Sequence, residues 1–143
     1  MDWEAVSPVG LAENFNVEHC MLDHHNTASE RAVRRKYSAS LHNAPADYVL
    51  EFAHELLLTY AHRWQAYEVI AAHKAAFHSL NANSLEAFGQ GINSWWATDS
   101  FARTLSGPAW KDGLVSGELI IRWAGSPDLW WRRAALVSTV AFN

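Results

Sequence analysis

Along most of the 143-residue chain, apolar residues return every three to four positions, and nowhere do they alternate with period two for long enough to make a strand. The clearest stretch runs Val49, Phe52, Ala53, Leu56, Leu57 and Tyr60, with Asp47, Glu51 and Glu55 falling elsewhere, an amphipathic stripe of core width. After a break near His62, Tyr67, Ile70, Ala71 and Phe77 mark a partner helix, so the spacing predicts an antiparallel hairpin of two helices of about 16 residues each. Upstream, Val33, Tyr37 and Leu41 at four-residue spacing predict a short basic helix ending near His42 and Asn43, with Pro45 as punctuation.

The plan then recurs. Ser84 is positioned to cap a short helix through Phe88, and Ser94 a helix to about Leu105; Gly107, Pro108 and Gly113 mark a loop. Ser116 opens a further helix to about Trp123. AGSPDLWW then restarts the pattern, with Ser126 read as the N-cap, Pro127 as the first helical residue, Asp128 on the positive end of the dipole, and Trp130, Ala134, Val137 and Ala141 on one stripe. Helix pairs returning every 35 to 40 residues or so are the period of an α-solenoid of the HEAT kind. The expected fold is therefore all-α, with antiparallel helix pairs stacked as a HEAT-like, armadillo-like superhelix over residues 29–143. Residues 1–28 show no sustained period and are read as an irregular or weakly helical leader.

Charge is divided along the same line. Residues 1–30 carry six acids and no Lys or Arg, whereas residues 31–143 hold all 11 basic residues and nine acids. The body is thus near neutral and can present a local basic face, although the whole chain carries −4. One cysteine, Cys20, excludes an intramolecular disulfide framework and suits a reducing compartment, so the cytoplasm is expected. The first residues lack the basic and apolar regions of a signal peptide, and no segment reaches the roughly 18 apolar residues a membrane helix needs.

Tryptophan stands out, with 8 residues, six of them between Trp95 and Trp131. Trp95 and Asp99 lie four apart on one predicted helix and so share a face, and Arg132 and Arg133 open a helix about one repeat later. An indole face attracts a cation, a carboxylate stabilises developing positive charge, and a guanidinium takes a phosphate oxygen. The same residues also suit a plain alternative, with Asp99 in a structural ion pair and the tryptophans in the core.

NSWWATDSF, followed some thirty residues later by WAGSPDLWWRRAALVST, resembles the DNA alkylation repair glycosylases of the AlkD type, a HEAT-like family that removes positively charged alkylated purines such as 3-methyladenine and 7-methylguanine. The family pattern, a Trp and an Asp four apart and then a Trp shortly before Arg-Ala-Ala, falls here on Trp95, Asp99, Trp130 and Arg133 with Ala134 and Ala135. The helix order matches from about residue 45, most specifically in the last fifty; WQAYEVIAAHKAAF is only a loose counterpart of the family's E-x-R-x-x-A helix. The resemblance implies that Asp99 stabilises an oxocarbenium-like sugar and orients water, that Trp95 contacts the lesioned nucleotide, and that Arg133 holds a phosphate. Trp130, Arg132 and Arg103 are the further DNA-binding candidates. It implies duplex DNA as partner, a monomer, and no metal or organic cofactor. It also implies a further tryptophan in a K-A-x-G-W-type segment beyond Asn143, so the repeat domain is expected to be incomplete at its C-terminal end. The alternative from another class is a non-catalytic helical-repeat module that binds DNA or protein.

The remaining signals point less far. His19, Cys20, His24 and His25 with Asp23 have ligand-like spacing, but closed zinc sites usually draw a second pair of ligands from a distant segment, and none is evident; no metal site is assigned. His54, His62, His73 and His78 are expected to be partly exposed polar positions. The Arg34, Arg35, Lys36 cluster reads as a solvated face that also suits a DNA-facing helix. There is no GxGxxG, P-loop, HExxH or GxSxG motif.

Overall fold

The computed structural model describes residues 2–143 and is all-α, with no strand among the described residues. The chain forms two compact units, residues 1–77 and 78–143.

The first unit holds α1 (Pro8–Cys20), α2 (Thr27–Ser40), α3 (Ala46–Leu58), α4 (Arg63–Ala71) and most of the short α5 (Lys74–His78). Its core is aromatic. Phe15 meets Tyr37 edge-on at 5.0 Å and Phe52 at 6.1 Å, and all three are fully buried. Of the two forms expected for residues 1–28, irregular or weakly helical, the structure shows a regular helix: α1 is capped by Ser7 Oγ accepting from Gly10 N at 3.0 Å with Pro8 in its first turn, and it buries Leu11, Ala12 and Phe15. Three buried positions among polar residues leave almost no periodic signal, yet they place a phenyl ring at the centre of the unit.

The helix expected to continue to Phe77 is instead split at His73. The His73 ring accepts from Ala76 N at Nδ1 (3.1 Å) and so fixes the neutral tautomer in which Nε2–H donates to Ala44 O at 2.9 Å. His62 and His73 are buried, not partly exposed. His62 hydrogen-bonds Asn16 Oδ1 at 2.9 Å, and burial, followed by the nearby His19, lowers its pKa to about 4. The basic cluster on α2 is largely engaged within the unit, Arg34 with Glu68 and Lys36 with Glu18, while Arg35 is exposed.

The second unit holds α6 (Ala82–Gly89), α7 (Trp95–Phe101), α8 (Gly107–Lys111), α9 (Gly117–Ala124) and α10 (Leu129–Ser138). Several boundaries move from where the sequence put them, because a different side chain won the cap. Asn81, not Ser84, caps α6, and Ser84 closes a reciprocal capping box from the third helical position. Asp128, not Ser126, caps α10 by accepting from Trp130 N at 2.8 Å. Gly107 and Pro108 are helical, not loop: a π-helical turn over Ala102–Ser106 carries α7 directly into α8. Gly107 is needed there for space, since a Cβ would come within 2.8 Å of both Ala102 O and Ser138 O. Beside it, Ser138 Oγ donates to Ala134 O at 2.6 Å, which leaves Ser106 as donor in the buried 2.7 Å Ser106–Ser138 bond.

Candidate DNA-repair site

α7 begins where Ser94 Oγ accepts from Ala97 N at 3.1 Å. That start fixes the register: Ala97, Thr98 and Phe101 turn inward, while Trp95 and Asp99, one turn apart, share another face. Trp95 and Trp96 are 59% and 57% exposed, with rings perpendicular and centroids 5.9 Å apart. Two adjacent indoles left in water forgo the burial such side chains usually gain, which makes the start of α7 a candidate contact surface.

Asp99 faces α10. Arg133 Nε donates to Oδ1 at 2.7 Å and Nη2 donates to Oδ2 at 2.9 Å, a two-pronged pairing that fixes both planes. The helix that brings Arg133 there is seated by Ala134, Ala135 and Ser138, which are buried against the neighbouring helices. The hydrogen bond to Asp99 raises the Arg133 pKa further, so the guanidinium is permanently charged. The Asp99 side chain is 23% exposed and that of Arg133 41%, so the pair is reachable from solvent.

The other sequence candidates divide. Trp130 and Trp131 are both half-buried, and the Trp131 ring lies edge-on to Phe101 at 5.7 Å and to Trp123 at 4.9 Å. Trp131 also lies over Gly89, where a Cβ would be 2.4 Å from its ring. Arg132, exposed, is tied through Nη1 to the loop before α10, donating to Ser126 O at 2.8 Å and Pro127 O at 3.0 Å. Arg103, exposed on the π-helical turn, lines an open pocket of about 410 Å³ with Lys111, Asp112, Pro108, Val140 and Ala141. The structure thus brings Asp99 and Arg133 together, with Trp95 on the shared helix, and gives Arg132 and Arg103 other surroundings. Trp96 was passed over in the sequence. Its only signal is the WW pair, which cannot by itself say which indole is exposed.

The family model described as DNA alkylation repair enzyme matches residues 25–143, well over half of the chain and all of the site just described. No curated protein and no solved structure matches the chain. Among the described residues, no helix is long and apolar enough to cross a membrane.

Proposed function

The chain belongs to the DNA alkylation repair enzyme family, and from that premise we propose that it is a glycosylase hydrolysing the N-glycosidic bond of positively charged alkylated purines in duplex DNA. The observation that carries the reading is the solvent-reachable Asp99 carboxylate, gripped by Arg133, one helical turn from the exposed Trp95.

A purine alkylated at N3 or N7 is already a cationic leaving group, so its departure needs no general acid. What the reaction needs is negative charge near the sugar as it becomes oxocarbenium-like, and Asp99 supplies it while orienting the attacking water. Arg133 holds the carboxylate plane. A guanidinium has five N–H groups, and the two engaged by Asp99 leave three for a phosphate of the lesioned strand. The Trp95 indole offers a π-face to the cationic nucleotide. Trp130, Arg132 and Arg103 supply further contacts to the DNA, which a monomer binds without a cofactor, in the cytoplasm where Cys20 stays reduced.

The two-pronged ion pair also favours a second reading, a non-catalytic helical-repeat module in which Asp99 is structural. Base release separates the two. Incubated at low salt with methylated duplex DNA, the protein is expected to release free 7-methylguanine and 3-methyladenine while leaving the neutral lesion 8-oxoguanine in place. Folded protein that binds the duplex and releases no base would overturn the enzymatic reading in favour of the module.

A further inference from the structure

Away from that site, in the first unit, the α1–α2 connection is built to present two imidazoles to one carboxylate. α1 ends with Met21 N and Leu22 N donating back to its last carbonyls, leaving His19 in the final turn. α2 starts with a reciprocal capping box between Asn26 and Ser29, and Ser29 Oγ also donates to His24 O at 2.6 Å, which fixes the loop just ahead of His25. Glu30 follows in the first turn of α2. Its Oε1 lies 2.5 Å from His19 Nε2 and 3.8 Å from His25 Nδ1, and all three ligand atoms fall within 4.8 Å of one another. His62 packs its ring against His19 at 4.3 Å while bonding Asn16, so it orients the His19 ring without offering its own Nε2.

We infer that His19, His25 and Glu30 bind a divalent transition cation of the zinc class, which clips the end of α1 and the connecting loop to the start of α2. Two imidazole nitrogens and one carboxylate oxygen are a zinc donor set, whereas calcium and magnesium prefer oxygen throughout. With bonds of about 2.0–2.1 Å, tetrahedral ligands lie about 3.3 Å apart, so the observed 2.5 and 3.8 Å separations need shifts of about 1 Å or less, and the His19–His25 separation, within 4.8 Å, closes by at most about 1.5 Å. The fourth position is left to water. The cluster differs from the one the sequence suggested: Cys20 Sγ is directed at Asn16 Oδ1 and His24 is exposed, and the third ligand, Glu30, comes from the next helix. The inference is independent of the role of Asp99.

The test is calorimetric titration of the chelator-treated full chain with zinc chloride alone, repeated with cobalt(II) and read by its visible d–d absorption. One equivalent should bind with a micromolar or tighter Kd, raise the Tm, and give the strong bands of a four-coordinate cobalt centre. His25→Ala, at a half-exposed ring outside the core, should weaken binding by about tenfold or more and abolish the bands, as should Glu30→Gln. His42→Ala, exposed and outside the cluster, should bind as the wild type does. Absence of saturable binding, or affinity unchanged in His25→Ala with circular dichroism showing a folded protein, would overturn the assignment.

Discussion

Each unit contains a carboxylate held by arginine with tryptophan close by in the chain, and the two differ in how many guanidinium groups hold the carboxylate. In the first, Glu68 on α4 is saturated: Arg31 reaches both oxygens, with Nη2 at 2.7 Å, and Arg34 adds a bond at 3.1 Å. Arg31 lies 5.1 Å over the Trp64 ring, and the Arg34 side chain is only 13% exposed. In the second, Asp99 has a single guanidinium, and the tryptophan at the head of its own helix is more than half exposed. Charge pairing in itself is therefore not the sign of a site. A carboxylate surrounded by cations, one of them stacked on an indole, ties α2 to α4, whereas one with a single guanidinium partner has acceptor sites left.

Removing each carboxylate is the harshest way to break this comparison. Glu68→Ala leaves two guanidinium groups without their acceptor and should cost about 2 kcal/mol of stability, the exposure of Arg31 keeping it below the limit for a buried pair. Asp99→Ala should lower the Tm far less. Thermal melts of the two variants check this, and equal losses would mean that both pairs are structural. Trp95→Ala should weaken binding to alkylated duplex DNA by about 1–2 kcal/mol, the worth of one stacked base, with its Tm near that of the wild type because the ring is exposed; a binding titration and a melt read the two effects. The smallest effect sharpens the structural side: Trp64→Leu should remove about 0.5–1 kcal/mol of stability through the lost contact with Arg31, without altering DNA binding.

The sequence carried the fold wherever a helix shows a wide apolar stripe. Val49 to Leu57 reads directly as α3, because five of its residues go into the core. The fold is less legible where burial is sparse, as in α1, whose Leu11, Ala12 and Phe15 are too few to separate a regular helix from an irregular or weakly helical segment although Phe15 lies in the aromatic core. Caps were misplaced by a few residues because Ser, Asn and Asp compete for the same backbone donors, and the winner depends on the loop that precedes it. At the site, the four-residue spacing of Trp95 and Asp99 was legible because it is local. The pairing of Asp99 with Arg133 spans 34 positions and depends on α10 lying against α7, which no spacing encodes. For the same reason Glu30 is invisible in the sequence as a partner of His19 and His25.

In the proposed reaction Asp99 acts on the chemistry and not only on the fold. That claim is tested most directly by the single-turnover rate of 7-methylguanine release from methylated duplex DNA by Asp99→Asn, with enzyme in excess. The substitution keeps the size of the side chain and removes the charge. Loss of a preorganised electrostatic group of this kind predicts a rate about 100-fold or more below the wild type, in a protein whose melting temperature is nearly unchanged. A variant that releases the base at the wild-type rate would contradict the claim and reduce Asp99–Arg133 to the same structural role as Glu68.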